Sequence, residues 1–449
     1  MNISKIALMC LVFLVLFLGP EGGAVAFHSG GVGECDGCHS MHNSSQGVEN
    51  VQNRAFMTGT GPYLLKANDS SGVCLSCHER VGDIGPTTYH VSTPSTELQP
   101  GAPPKQLTPG GDFGWLKKDY SWISGPTGSI LNSEGDRHGH NIVASDFLYL
   151  ADKTYTAAPG GVSVYPSSGL ACISCHEPHG RYRRNFDGSI TTTGRPIASS
   201  GSFKSSPDPD ITVSVGAYRM LGGQGYLPKS LAGAPAFSYD PPAAVAPDKP
   251  NRSEAVTQTR VAYGAGMSEW CMNCHYNMHT PYYPGTANLL HPVGTTAKLG
   301  IIWKSTDLLY SKADNYNRYV RTGELTGLVE TSYLSLVPFE EGTSDYTVLK
   351  SHANADGSWL AGPDRTNAQV MCLSCHRAHA SGWDGSMRWN TKTDFIAYNG
   401  SYAPPANPEY AQGRTEAEAR KAYYDRPASP TFAQNQDSLC NKCHNGIYP

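Results

Sequence analysis

The longest apolar stretch, the thirteen residues from Ile6 to Leu18, lies near the start of the chain, with Lys5 before it and Ala24-Val25-Ala26 after it. That order of charge, apolar run and small-residue site is the layout of a secretory signal. The run is short of the roughly 20 residues that a membrane-spanning helix needs. Residues 1–26 are therefore expected to be a cleaved signal peptide, with residues 27–449 forming a single mature domain. Cys10 sits inside the apolar run with no small residue before it, which argues against a lipid anchor. No later run reaches eighteen consecutive apolar residues, so no membrane span is expected in the mature chain. Elsewhere the hydrophobic pattern is weak. Segments 199–210, 232–251 and 401–408 are rich in Pro, Gly, Ala or Ser and follow neither a 2.0 nor a 3.6 period. The pattern predicts mostly coil with short α-helices and few strands. Recurring aromatic residues favour ordered surface coil over disorder.

Composition agrees. The 48 glycines and 32 prolines make about 18% of the chain against roughly 12% in average proteins. Only 16% of residues are charged. The formal net charge is -4, with Lys and Arg scattered, so nothing attracts nucleic acid. The 25 tyrosines outnumber 12 phenylalanines, and Tyr149, Tyr155 and Tyr165 cluster ahead of one cysteine motif. A tyrosine combines an apolar ring with a hydroxyl that meets water or an anion.

Cysteine usage changes the picture more. Apart from Cys10, every cysteine belongs to one of six CxxCH pentapeptides. They are Cys35-Cys38-His39, Cys74-Cys77-His78, Cys172-Cys175-His176, Cys271-Cys274-His275, Cys372-Cys375-His376 and Cys440-Cys443-His444. CxxCH is the attachment signature of c-type haem: two thiols form thioethers to the porphyrin and the adjacent histidine binds iron. One CxxC alone reads equally well as a zinc half-site or a redox pair. With 16 histidines in the chain, chance placement after all six pairs has odds on the order of one in a billion. Export agrees, since thiols outside the cytoplasm otherwise oxidise.

Ten histidines remain. Two imidazoles favour a low-spin, lower-potential iron, whereas methionine raises the potential. Met41, Met278 and Met371 lie near motifs and Met220 and Met267 lie away from them; packing is the expected role of all five. A weak repeat selects among the histidines: an upstream histidine, then CxxCHxxH, then a plain CxxCH. It points to His28, His42, His140, His179, His291 and His379 as distal ligands. His90, His279 and His352 are reserves, and His138 is the weakest candidate. A histidine three residues past a proximal ligand is too close in sequence to cross its own ring, so it serves a neighbouring haem.

The 423 mature residues allow about 70 per haem, near the limit below which a polypeptide core stabilises little alone. The six covalently bound haem c groups are therefore expected to form the core, with each CxxCH on a short turn. The basic run Arg181-Tyr182-Arg183-Arg184 suits haem propionates, a partner or plain solvation.

Phe27-His28-Ser29-Gly30-Gly31, the run from Thr108 to Trp115, Gly139-His140-Asn141-Ile142-Val143, Gly266-Met267-Ser268-Glu269-Trp270, Ser374 to His379 and Cys440 to His444 are more specific than CxxCH itself. Through them nearly the whole mature chain resembles the outer-surface hexahaem cytochromes of metal-reducing bacteria, of the OmcS type. The resemblance implies an elongated multihaem cytochrome c built around a continuous stack of six bis-histidine haems. It implies polymerisation into a conductive filament at the cell surface or beyond it. It also implies donation of His42 to a haem of the neighbouring subunit, which leaves His90 as the leading reserve for the second haem. Redox partners upstream and extracellular acceptors such as metal oxides follow. A discrete periplasmic shuttle and a multihaem oxidoreductase are the other readings, although no CxxCK or shortage of histidine demands an open iron.

Overall fold

A computed structural model describes residues 35–40, 64–87, 89–125, 128–160, 165–231, 233–248, 260–279, 291–300, 311–319, 337–354, 362–425 and 435–444, with the short pieces 44–45, 48–49 and 326–328. Among these, the longest helix is Ser70–His78. Asp69 starts it by accepting the Gly72 N–H at 2.7 Å, which satisfies one of the donors a helix start leaves open. The other described α-helices run four to seven residues, the 3-10 helices three to five, and the strands two to five. Strands pair antiparallel in small two- or three-stranded units: Tyr120–Ser124 with Ser129–Ser133, Arg183–Arg184 between Ile190–Thr191 and Val215–Gly216, Ala244–Val245 with Ala262–Tyr263, and Phe395–Ala397 with Gln436–Asp437. The expected coil-rich architecture is what the chain adopts.

Each motif closes on itself in the same way. The histidine N–H donates to the carbonyl of the first cysteine, at 2.8 Å in His39, 3.0 Å in His176, His275 and His376, and 2.9 Å in His444. One turn thus carries two thiols and an imidazole. Only Cys35–Cys38, Ser70–His78 and Cys372–Cys375 hold their motif cysteines on α-helix; Cys172–Ser174 and Leu439–Lys442 are 3-10 turns, and the helix Met267–Cys271 stops at its first cysteine.

The apolar core is divided into several clusters rather than gathered into one. The largest joins Trp115, Tyr316, Tyr319, Trp383, Tyr402 and Tyr423 across distant parts of the sequence. Two buried tyrosines anchor their hydroxyls on backbone carbonyls: Tyr316 donates to Val337 O at 2.6 Å, and Tyr226 to Ile173 O at 2.6 Å. Tyr149 and Tyr165 are buried while Tyr155 is exposed. Met267 and Met371 pack in the interior, and Met278 is exposed. One expectation needs correcting. Part of the 232–251 segment is interior rather than surface coil: Ala243 to Ala246 are buried, and Ala244 and Val245 pair with Tyr263 and Ala262. Alanine's small side chain allows that close backbone approach.

Candidate haem sites

Segments 172–179 and 372–379 are built alike. Ser71 Oγ accepts the Cys172 N–H at 3.2 Å, and Ser268 Oγ accepts the Cys372 N–H at 3.1 Å. Those contacts bring the second motif against the third and the fourth against the fifth, with Cys74 beside Cys172 and Cys271 beside Cys372. The motif's imidazole is then oriented by its Nδ1, which donates to Arg219 O from His176 and to Gly385 O from His376, both at 2.7 Å. Each carbonyl comes from a left-handed residue, Arg219 at φ 51° and Gly385 at φ 68°. His78 and His275 are oriented the same way by Tyr89 O and Pro159 O. With Nδ1 fixed as donor, Nε2 is the nitrogen whose lone pair suits a metal.

Four imidazole pairs face each other. His39 stacks on His179 with ring centres 6.5 Å apart and 15° between planes. His176 faces His379 at 6.4 Å, His275 faces His140 at 5.9 Å, and His444 faces His291 at 6.1 Å. Two metal–imidazole bonds of about 2 Å, plus roughly 1 Å from each bonded nitrogen to its ring centre, give about 6 Å. Each pair therefore fits an imidazole–iron–imidazole axis beside its own CxxC. Burial pushes the pKa of His140 down to about 4 and that of His379 to about 3, with neighbouring histidines adding to the effect. Burial also lowers His176, His275 and His376. Neutral imidazoles with a lone pair for a metal are the result. Among the described residues no three His, Cys, Asp or Glu side chains converge as a zinc site requires.

The pairs are laced together. His140 N–H donates to His379 O at 2.9 Å, and its Nδ1 to Ala378 O at 2.7 Å. His379 N–H donates to Gly110 O at 2.7 Å, and the Phe113 ring stacks on His379 at 4.6 Å. Gly111, at φ +97°, has no room for a side chain: a Cβ there would lie 1.7 Å from Ala380 O. These contacts explain the run from Thr108 to Trp115, to which sequence reasoning gave no role. Spacing marked the HxxH histidines but could not show that each reaches back two motifs, from the third to the first and from the fifth to the third.

The remaining histidines go elsewhere. His28 and His42 lie outside the described residues. His90 is buried, with its Nδ1 on Asp83 and its ring edge against Tyr89, and among the described residues it meets no motif histidine. His138 uses both nitrogens, on Trp115 O at 2.9 Å and Ser133 Oγ at 2.8 Å. His352 pairs with Glu341, and His279 ends the turn Tyr276–His279. Arg184 is buried on its strand and donates to Gly188 O at 3.1 Å.

Covalent-haem motifs on single turns, facing imidazoles and a coil-rich scaffold define a multihaem c-type cytochrome. No family model matches the chain. It is 51% identical over 446 residues to the C-type cytochrome OmcS of Geobacter sulfurreducens, covering 98% of each chain. The chain belongs to the OmcS family of c-type cytochromes, whose cofactor is covalently bound haem c. Two cryo-EM structures of that cytochrome, described as OmcS nanowires and as an Outer Membrane Cytochrome S filament, match with TM-scores of 0.83 and 0.82. Each shares 52% identity and covers 93% of this chain and 99% of its own.

Proposed function

We propose that this protein transfers electrons outside the cell, as a filament of copies of itself that delivers them to extracellular acceptors such as metal oxides. Residues 1–26 are the signal peptide and residues 27–449 one hexahaem domain. The twelve motif cysteines attach six haems, and His39, His78, His176, His275, His376 and His444 are the proximal ligands. The observation that carries this reading is the set of four facing imidazole pairs, linked motif to motif. When bound, the haem irons supply one-electron chemistry at potentials set by their axial ligands.

The chain's own residues arrange those sites in a row. His176 and His179 stand three residues apart yet face different partners, so the sites of the first and third motifs adjoin; His376 and His379 join the third and fifth in the same way. Extending the series, the histidine three past His39 reaches the fifth site of another copy. That residue is His42, and among the described residues no histidine ring faces His376. His28 is left for His78. Paired imidazoles leave no open iron for substrate, which favours an electron carrier over an enzyme.

Cryo-electron microscopy of the secreted holoprotein tests the proposal. Filaments with six haems per subunit and His42 crossing the interface are expected. A strictly monomeric protein at high concentration, or ready carbon monoxide uptake by several irons, would refute it.

A further inference from the structure

Among the described residues, backbone carbonyls accept from Nδ1 of His78, His140, His176, His275, His291 and His376. His179 differs. Its Nδ1 donates to the Glu177 carboxylate, Oε1, at 3.0 Å. Glu177 is only 3% exposed and held in place. Its Oε1 also accepts the His179 N–H at 3.1 Å, its Oε2 accepts the Arg181 N–H at 2.5 Å, and its own N–H donates to Met220 O at 2.7 Å. The same position after the proximal histidine is Ser40 in the first motif and Arg377 in the fifth, so spacing does not demand a carboxylate.

A carbonyl offers a dipole, whereas a carboxylate offers a full negative charge. A carboxylate on Nδ1–H draws the proton away from the ring and makes Nε2 a stronger donor. Stronger donation stabilises ferric iron over ferrous. We propose that Glu177 is a positioning residue which, acting through His179, sets the haem between His39 and His179 at a lower reduction potential than haems whose ligands are held by backbone carbonyls. This rests on the bis-histidine reading above. In a repeating chain it places one uphill step in every subunit.

The test is anaerobic spectropotentiometry and low-temperature EPR on the full holoprotein and on E177Q, which keeps the side-chain shape and removes the charge. In E177Q one haem's share of the absorbance is expected to titrate at higher potential. Its reduced-to-oxidised ratio at fixed potential should rise about tenfold, or 59 mV for a one-electron couple. In the unmutated protein one low-spin signal should have a narrower g spread than the others of like ring orientation, and E177Q should widen it. The EPR measurement stands even if E177Q fails to load haem. An E177Q titration that overlays the parent, a shift shared equally by all six haems, or an unmutated spectrum without the narrowed signal overturns the proposal. Fewer than six haems by pyridine haemochrome, or carbon monoxide binding by the unmutated protein, would instead refute the bis-histidine reading.

Discussion

Segments Cys172–His179 and Cys372–His379 read CISCHEPH and CLSCHRAH. Up to the proximal histidine they are nearly superposable in their bonding. Ser174 Oγ accepts Ala171 N–H at 2.9 Å, and Ser374 Oγ accepts Met371 N–H at 3.1 Å. They part afterwards. Glu177 turns back onto His179, whereas the buried Arg377 lies over the Tyr424 ring at 3.4 Å and the His379 backbone N–H donates to Gly110 O at 2.7 Å. In both segments the last histidine faces the imidazole of the motif two before it, His179 that of His39 and His379 that of His176. The two positions that differ after the motif histidine, Glu177/Arg377 and Pro178/Ala378, go with the different ways in which His179 and His379 are held.

Removing the distal histidines is the strongest way to break the comparison. H179A and H379A should each convert one haem of the set from a six-coordinate, carbon-monoxide-inert form to a binding one, read as one haem's share of the difference spectrum. H379A should also lower thermal stability, by about 2–4 kcal/mol for an unfilled core cavity, because Phe113 stacks on that ring. Silent carbon monoxide spectra in both would mean that neither histidine is an axial ligand. G111A comes next. Its Cβ would meet Ala380 O in a backbone conformation that disfavours any side chain, at a cost of about 3 kcal/mol or more. The loss should show in melting temperature together with carbon monoxide binding at the His379 site, while the His179 site stays closed.

The sequence made the motifs legible because two thioethers and an axial ligand are local chemistry, confined to five residues. The pairings were less legible, because His291 and His444 meet across a long stretch of intervening chain. Nor did the turns that orient His176 and His376 announce themselves. Tyr218-Arg219-Met220-Leu221 and Asp384-Gly385-Ser386-Met387 share almost no residue types, yet both place left-handed residues at the second and third positions. Tertiary context imposes that conformation on Arg219, whose guanidinium stacks on Phe203 at 4.7 Å. The buried alanines of 243–246 misled for a related reason: small residues read as loop when their role is close approach.

Arg377 and Glu177 sharpen the contrast further. R377Q removes a cation from the Tyr424 face and a donor from Pro109 O at 3.2 Å. Denaturant titration should show a loss of about 2 kcal/mol, in the range for a desolvated cation–π contact. E177Q should cost less stability than R377Q while moving a potential. A larger stability loss in E177Q would make the carboxylate chiefly a structural brace.

The smallest effect probes where the two segments are alike. S71A strips the acceptor from Cys172 N–H and S268A strips it from Cys372 N–H, and both serines are fully buried. Each takes the acceptor from one part-buried donor, at a cost of about 1 kcal/mol. Because the bonds differ by only 0.1 Å and hold equivalent cysteines, the two losses should agree within experimental error in melting of the holoprotein. The double variant should lose their sum, since the sites share no partner. A marked inequality would mean that the third and fifth segments are anchored differently from their first residue onward. The divergence at Glu177 and Arg377 would then be a consequence of that anchoring rather than its own cause.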